Sequence, residues 1–218
     1  MKENITIGLI HALEESEEPI RGSFKSIWPE VNLKEYSDFD LSIDRANGVE
    51  ESMIRSRIIG LGKDAVNDKV DAILYTCSAF GNAINAAKEE FDIPVLKPNE
   101  SAFKAAIKAK KDVNILVTFK PSLDLLTNEF KEMSHGQGID IQGYLIDSAL
   151  DLLKDNRIED HNQRILDFIN SLPSDETIVL GQFSMARAAE KINSQMPNRL
   201  VLNTPDAAVT ELKDLFSD

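Results

Sequence analysis

The sequence predicts an α/β protein made of two similar three-layer domains with parallel sheets, related by a pseudo-twofold axis. Two observations support this prediction. Short runs rich in apolar and β-branched residues alternate with helical patterns along the whole chain, which is typical of parallel sheets covered by helices on both faces. The order of these elements then repeats after about half of the 218 residues, which indicates a duplicated unit.

The first half contains four predicted strands, each a short apolar or alternating run bounded by polar or turn residues. They cover residues 5–10, 31–36, 70–76 and 94–98. Helical patterns fill residues 19–28, 49–68, 80–91 and 100–111. In the longest helix, Ile54, Ile58 and Leu61 recur at helical spacing. The stretch 37–48 before that helix is predicted as a loop.

The second half begins the same order again. Its predicted strands cover residues 113–119, 139–146, 177–182 and 199–204. Its predicted helices cover residues 122–133, 147–154, 159–171, 184–195 and 205–216. Strands that alternate with helices in this way indicate βαβ units, whose strands run parallel.

Two pairs of segments carry the repeat. "AILYTCSAFGNAINAA" (72–87) matches "TIVLGQFSMARAAEKI" (177–192), so that Gln182 falls on Cys77, 105 residues later. "PVLKPNESAFKAAI" (94–107) matches "LVLNTPDAAVTEL" (200–212) at nearly the same offset. We therefore predict one domain from residues 1–98 plus 205–218 and a second from residues 99–204. Because ligands of open α/β sheets bind beyond the carboxyl ends of the strands, the cleft between the domains is the predicted active site.

Composition limits the classes of partner. The net charge is −13, so a polyanion would be repelled and a nucleic-acid partner is not expected. No apolar run is long enough to span a membrane or to serve as a signal peptide. A single cysteine excludes an internal disulfide and fits a reducing cytoplasm. The chain is expected to be cytoplasmic, with no membrane partner.

The only cysteine, Cys77, stands where a predicted strand passes into a helix. A helix N-terminus offers free N–H groups and positive dipole character, which lower the pKa of a thiol placed there. A thiolate could act as a base or as a nucleophile. The alternative is a structural role, since free cysteine is often buried as a small hydrophobe. The small residues that follow, Ser78 and Ala79, favour function.

Gln182 occupies the matching place in the second half. Its amide can donate two hydrogen bonds, which would stabilise a carboxylate or a developing enolate. Ser184 could assist through its hydroxyl, or it could simply cap the following helix.

The other candidates follow the remaining strands: His11, Asn99, Glu100 and Thr118. His11 could carry protons or bind an anion, although a lone histidine is commonly only a satisfied polar residue. Asn99 and Glu100 also suit the first turn of a helix, and Thr118 also suits a strand.

Signatures of cofactor and metal sites are absent from the sequence. It has no GxGxxG motif, no Walker A loop and no paired-cysteine site. The three histidines, His11, His135 and His161, show no metal-ligand spacing. His135 is predicted in a loop and His161 on a helix surface. Neither a cofactor nor a metal is expected.

The pair "AILYTCSAFGNAI" and "TIVLGQFSMARAA", with "VLKPNE" and "NTPDAAV", resembles the aspartate/glutamate/hydantoin racemase superfamily over nearly the whole chain. The resemblance implies two α/β domains around one active site, and a possible homodimer. It also implies that Cys77 is the first catalytic cysteine. In the racemases a second cysteine, usually within a pattern like "LGCAGM", acts on the opposite face of the substrate; here "LGQFSM" places Gln182 there.

The same resemblance implies a cofactor-independent carbon-acid enzyme that acts on a small carboxylate, because some relatives with one cysteine are decarboxylases or isomerases. Cys77 would be the acid/base or nucleophile. The carboxylate or enolate would be held by Gln182, Ser184, Asn99, Thr118 and the N–H groups of Ser78, Ala79 and Phe80. Two alternatives stay open: an amino-acid or hydantoin racemase with a second acid/base that is not a cysteine, and a non-catalytic protein that binds a carboxylate.

Overall fold

A computed structural model describes residues 4–217 and contains two four-stranded parallel sheets. The strand orders are β2-β1-β3-β4 and β6-β5-β7-β8, the same order in each half. The strands β1 to β8 are Thr6–His11, Asn32–Ser37, Ala72–Tyr75, Val95–Leu96, Val113–Val117, Ile141–Leu145, Thr177–Leu180 and Val201–Asn203. The predicted α/β fold with two similar parallel sheets is therefore confirmed.

Ten α-helices cover the sheets within the described residues. The helices α1 to α10 are Glu17–Ile27, Asp40–Ala46, Glu51–Asn67, Gly81–Glu90, Glu100–Ala109, Ser122–Met133, Ala149–Lys154, Ile158–Asn170, Ala189–Gln195 and Thr204–Leu215. Within residues 4–217, none of these helices has both the length and the apolar character needed to cross a bilayer.

Two local predictions were wrong. The stretch 37–48, predicted as a loop, contains α2, which buries Leu41 and Ser42. The predicted helix 184–195 is a 3-10 segment, Phe183–Ala188, followed by the short α9. A 3-10 segment directly after a strand brings backbone N–H groups close to the strand end.

The first sheet is buried on both faces. On one face Ile7, Leu9 and Leu74 pack against α1 and α10. On the other face Ile10, Ile73 and Tyr75 pack against α2, α3 and α4. The middle strands β1 and β3 are consequently continuous apolar runs, as expected for parallel strands covered on both sides.

The second sheet is built in the same way, with β5 and β7 in the middle. Leu116, Ile178 and Leu180 face α8 and α9, and Ile115, Val117 and Val179 face α5 and α6.

One helix of each half packs on the other half's sheet. Phe103 of α5, which follows β4, joins the core of the second sheet. Val209 and Leu212 of α10, which follows β8, join the core of the first sheet. The division into residues 1–98 plus 205–218 and residues 99–204 stays a prediction, and residues 1–3 and 218 lie outside the described residues.

Two glycines in α3 give a test of core packing. A Cβ at Gly60 would contact nothing within 4 Å, whereas a Cβ at Gly62 would lie 2.4 Å from the Phe91 ring and 2.7 Å from the Tyr75 hydroxyl. We expect Gly60→Ala to stabilise the protein by about 0.5–1 kcal/mol, because alanine is the better helix former. We expect Gly62→Ala to destabilise it by about 1–3 kcal/mol through overpacking.

Thermal and urea unfolding of both variants would measure these changes, and Gly60→Ala serves as the matched control for helix propensity. An equal gain in stability from Gly62→Ala would contradict the packing of α3 against Tyr75 and Phe91.

Candidate active site

Cys77 ends the segment that follows β3 and precedes a 3-10 turn, Ser78–Phe80. Its backbone is extended (φ −119°, ψ 123°), and the chain changes direction in the 3-10 turn that follows. The side chain is 5% exposed and belongs to an apolar cluster that includes Leu41 and Phe80. The thiol is therefore placed at the strand end, as predicted, but it is covered in this structure.

Burial raises the pKa of the Cys77 thiol to about 11, because the thiolate loses hydration. A hydrogen bond from the Ala79 N–H and the positive charge of Arg45 act in the opposite direction, but they are weaker. The sequence predicted a lowered pKa from the helix N-terminus alone. In this covered state desolvation outweighs that effect, and the thiol is protonated at neutral pH.

Gln182 lies at the corresponding end of β7, in an extended conformation before the 3-10 segment Phe183–Ala188. Its Oε1 accepts hydrogen bonds from the Thr118 N–H (2.5 Å), the Thr118 hydroxyl (2.9 Å) and the Phe119 N–H (3.1 Å). The structure thus brings together two predicted site residues, Gln182 and Thr118. With Oε1 occupied, the amide NH₂ is the end of the side chain that can serve a ligand.

Phe119 connects the two strand ends. Its N–H donates to Gln182, and its ring packs against the apolar cluster that contains Cys77. Its carbonyl also accepts a hydrogen bond from the Ser122 N–H (3.0 Å). The connection between β5 and α6 therefore contacts both the Gln182 amide and the apolar cluster to which Cys77 belongs.

Two further hydrogen bonds join the halves beside this connection. The Ser78 hydroxyl donates to the Ser122 hydroxyl (3.0 Å). The Asn99 amide donates to the Gly181 carbonyl (2.8 Å), immediately before Gln182. The Asn99 Oδ1 is buried and has no hydrogen-bond partner within residues 4–217. Ser78 and Asn99, both predicted site residues, thus lie where the first half meets the second.

Glu100 has a different environment. Both of its carboxylate oxygens lie 2.6 Å from the Lys88 ammonium, and Oε2 also accepts the Lys97 N–H (3.1 Å). Lys97 in turn forms a buried 3.0 Å ion pair with Glu129 of α6. These contacts are those of a helix-capping residue next to an ion pair between the halves.

Ser184 and His161 are both fully buried. The Ser184 hydroxyl has no hydrogen-bond partner within the described residues. His161 was predicted on a helix surface, and that prediction was wrong. Its Nδ1 lies 2.8 Å from the Ala149 carbonyl, and Ile165 and Ile169, on the same face of α8, are also buried.

His11 is the last residue of β1 and is fully buried. Its Nδ1 lies 2.9 Å from the Thr76 hydroxyl, and its Nε2 lies 4.0 Å from the Glu35 carboxylate. Burial lowers the pKa of His11, while the charges of Glu35 and Glu17 oppose that change. His11 is therefore surrounded by the Thr76 hydroxyl and the carboxylates of Glu35 and Glu17.

Two cavities within the described residues, of about 690 Å³ and 610 Å³, are lined by residues of 145–171 and by residues of α1 and 158–206. Neither is lined by Cys77 or Gln182. Because the Cys77 side chain is only 5% exposed, a substrate could reach the thiol only after local opening. The positive charge of Arg45, in α2, lowers the pKa of the Cys77 thiol. Arg45 was not predicted as a site residue, because its segment was predicted as a loop.

Comparison with solved structures gives the fold. A glutamate racemase isoform from Bacillus anthracis superposes with a TM-score of 0.78 at 15% identity, covering 98% of this chain and 82% of that chain. An aspartate racemase homologue from Pyrococcus horikoshii OT3 gives 0.74 at 14% identity, covering 98% and 99%. An allantoin racemase from Klebsiella pneumoniae gives 0.67 at 18% identity, covering 97% and 87%.

Sequence comparison gives the family. A glutamate racemase from Hydrogenobaculum sp. (strain Y04AAS1) is 23% identical over 159 residues, which are 70% of this chain. The match spans 61% of the length of that relative. The sequence model described as Asp/Glu/Hydantoin racemase matches residues 36–212. Because this match includes both Cys77 and Gln182 and most of the chain, the protein belongs to the Asp/Glu/hydantoin racemase family.

Proposed function

We propose that the protein is a cofactor-independent carbon-acid enzyme that acts on a small carboxylate, with Cys77 as its single thiol proton carrier. The observation that carries this proposal is the pairing of the two strand ends: a lone, protonated thiol after β3 and an amide after β7, with Phe119 hydrogen-bonded to the amide and packed against the apolar cluster that contains the thiol. Of the two matching side chains, only the thiol can give up a proton, since an amide does not act as an acid or base.

A protonated thiol suits chemistry that needs a proton donor on one face of a carbon. When a carboxylate leaves as carbon dioxide, the electron pair of the broken C–C bond forms an enolate. The Cys77 thiol transfers its proton to that carbon and becomes a thiolate, which regains a proton from water. Such a step needs no second acid/base on the opposite face, so a decarboxylase fits Gln182 better than a two-thiol racemase does. A one-base isomerase would use the thiolate instead, which takes a proton from one carbon and returns it to another on the same face.

Hydrogen-bond donors near the thiol provide the binding site for negative charge. The Gln182 NH₂ can donate to the enolate oxygen, and Arg45 adds positive charge close to the sulfur. Thr118 acts through Gln182, because both its N–H and its hydroxyl hold the amide oxygen. Glu100 is not part of this proposed site, because Lys88 and Lys97 already occupy its carboxylate.

A second candidate is a true racemase of an amino acid or hydantoin. The similarity to proteins described as glutamate racemases and an allantoin racemase favours it. This reaction needs a second proton carrier on the face of the substrate opposite Cys77. The Ser184 hydroxyl, which is buried and has no hydrogen-bond partner within residues 4–217, is the group nearest in sequence to Gln182 that could relay a proton.

Replacement of Cys77 tests the thiol directly. We expect Cys77→Ala and Cys77→Ser to lose activity by about 10²–10⁴-fold, because general acid–base catalysis contributes that much. The assay is hydrogen–deuterium exchange and product formation, followed by NMR, on a panel of dicarboxylates, malonates and amino acids.

Cys77→Ser is the matched control for side-chain shape, and circular dichroism should show that both variants keep the fold. Full activity of Cys77→Ala on a substrate of the wild type would refute the proposal. Unchanged carboxylate binding by Cys77→Ser, with no turnover by the wild type on the panel, would indicate a binding protein instead.

The pH dependence of the free enzyme tests the protonation state of the thiol. A donor is active in its protonated form, so kcat/KM should stay level from neutral pH to about 9 and fall as pH rises towards about 11, the pKa of Cys77. Alkylation by iodoacetamide should show the opposite trend, with Cys77 labelled slowly at neutral pH and faster as pH rises. A rate that increases with pH would instead identify the thiolate base as the active form.

The stereochemistry of proton transfer separates the two candidate functions. In heavy water, a single donor should place deuterium on one face of the product, whereas a racemase should introduce it into both enantiomers. We expect Gln182→Cys to gain exchange on the second face. Gln182→Ser, which also removes the hydrogen bonds to Thr118 and Phe119, serves as the control for loss of the amide.

A further inference from the structure

Three side chains from separate elements lie close together at the carboxyl-terminal end of β1. They are His11 at the end of β1, Glu17 at the start of α1 and Glu35 in the edge strand β2. One donor atom from each of them lies within 4.8 Å of the others. The parallel pairing of β1 with β2 and the packing of α1 beside them create this arrangement.

His11 is oriented as a ligand within this cluster. Its Nδ1 lies 2.9 Å from the Thr76 hydroxyl, and that hydroxyl donates to the Ile10 carbonyl (3.2 Å). When the Thr76 hydroxyl donates to the carbonyl, Nδ1–H donates to Thr76, and this tautomer of the neutral ring has its lone pair on Nε2. A hydrogen bond from the opposite ring nitrogen is the usual way in which a metal-binding histidine is fixed.

The Nε2 atom of His11 lies beside the two carboxylates. The ring is fully buried, and Nε2 has no hydrogen-bond partner within residues 4–217. The Glu35 Oε2 atom lies 4.0 Å from it. A buried polar atom without a partner is costly, and a lone pair that faces a carboxylate calls for a cation between them.

Arg21 neutralises the carboxylates from the other side. Its Nε donates to Glu35 (2.7 Å), and its Nη2 donates to Glu17 (2.9 Å) and to Glu35. The guanidinium hydrogen-bonds both carboxylates, but no described hydrogen bond joins it to His11. The cluster therefore holds two negative charges and one available imidazole nitrogen, with a single cation bound at its outer edge.

We propose that His11, Glu17 and Glu35 bind one divalent transition-metal ion of the Zn²⁺ type through His11 Nε2 and one oxygen of each glutamate. Zinc–nitrogen and zinc–oxygen bonds of about 2.0–2.2 Å place neighbouring ligands roughly 3.3 Å apart. The donor atoms now lie within 4.8 Å of one another, so the two glutamate side chains must move closer to His11 when the ion binds. Three protein ligands leave a fourth position open to water or to a small ligand.

The ligand types select the class of metal. A buried imidazole nitrogen favours Zn²⁺ and its transition-metal neighbours, whereas Mg²⁺ and Ca²⁺ prefer oxygen ligands. No sequence pattern reveals the site, because the spacing of His11, Glu17 and Glu35 matches no metal motif. The proposed role takes the place of the substrate contact predicted for His11, and it does not depend on the proposed reaction.

Calorimetric titration of EDTA-treated protein with ZnCl₂ tests the site. We expect one Zn²⁺ per chain for the wild type and at least tenfold weaker binding for Glu35→Gln, which keeps the side-chain shape on an edge strand. Glu14→Gln is the matched control: Glu14 is exposed, lies near Glu17 in the chain and is outside the cluster, so its affinity for Zn²⁺ should be unchanged.

Two further variants distinguish this site from zinc binding elsewhere on the chain. Arg21→Gln should bind Zn²⁺ more tightly than the wild type, because the guanidinium competes with the metal for both carboxylates. Cys77→Ser should bind Zn²⁺ as the wild type does, because the thiol is not a ligand.

The ring that binds can be identified by NMR of histidine-labelled protein, since the chain has only three histidines. One ring should shift with Zn²⁺, and its signal should be missing in His11→Gln. Equal binding by Glu35→Gln, loss of binding in Cys77→Ser, weaker binding by Arg21→Gln, or no imidazole shift would each overturn the proposal.

Discussion

Three hydrogen bonds to the amide oxygen of Gln182 hold the ends of β5 and β7 together, and the surroundings of Cys77 depend on them. Each contributes about 0.5–1.5 kcal/mol net, and an unmade buried bond would cost about 1–3 kcal/mol. They fix Thr118 and Phe119, and Phe119 then packs on the apolar cluster that contains the sulfur. A cysteine at position 182 could not replace this contact, because a thiol is a weak acceptor.

The same contact explains how one side chain can serve both structure and chemistry. The amide has two different ends, and the oxygen is directed to the backbone of Thr118 and Phe119. The nitrogen end can therefore donate to a bound anion without loosening the strand ends. Across the site, the buried thiol keeps its proton because desolvation disfavours the thiolate. In the proposed reaction, Cys77 would thus supply a proton and Gln182 a neutral hydrogen-bond donor.

The fold could be predicted from the sequence because its signal is local and repeated. Continuous apolar strands alternate with amphipathic helices, so both sheets and nearly all the helices follow from periodicity. The errors have physical causes. Helix α2 has only seven residues and shows little periodicity. His161 is four and eight residues before Ile165 and Ile169, so its burial could have been predicted from the face of the helix that it shares with them.

The site could be predicted only in part. Residues at strand ends are brought together by parallel topology, so Cys77, Asn99, Thr118 and Gln182 could be proposed from their positions alone. The pKa of the thiol could not, because it depends on how much of the sulfur is covered by residues such as Leu41 and Phe80. Long-range pairs, such as His11 with Glu35, depend on which strands become neighbours, and sequence spacing does not contain that information.

Comparison of the two halves shows which part of the repeat is structural and which part carries chemistry. In the first half Glu100 accepts a hydrogen bond from the backbone N–H of Lys97, and in the second Asp206 accepts one from the side-chain NH₂ of Asn203, with the same separation of three residues. A carboxylate thus satisfies donors at the start of the helix in both copies. The positions of Cys77 and Gln182 have equivalent backbones, extended and followed by a 3-10 turn, yet their side chains differ in kind. Because the backbone requirement is the same, the difference lies in what each side chain contacts. The Gln182 oxygen holds Thr118 and Phe119, whereas the Cys77 sulfur is enclosed in an apolar cluster and can carry a proton, so the two copies of the repeat have diverged at the side chain and not in the backbone.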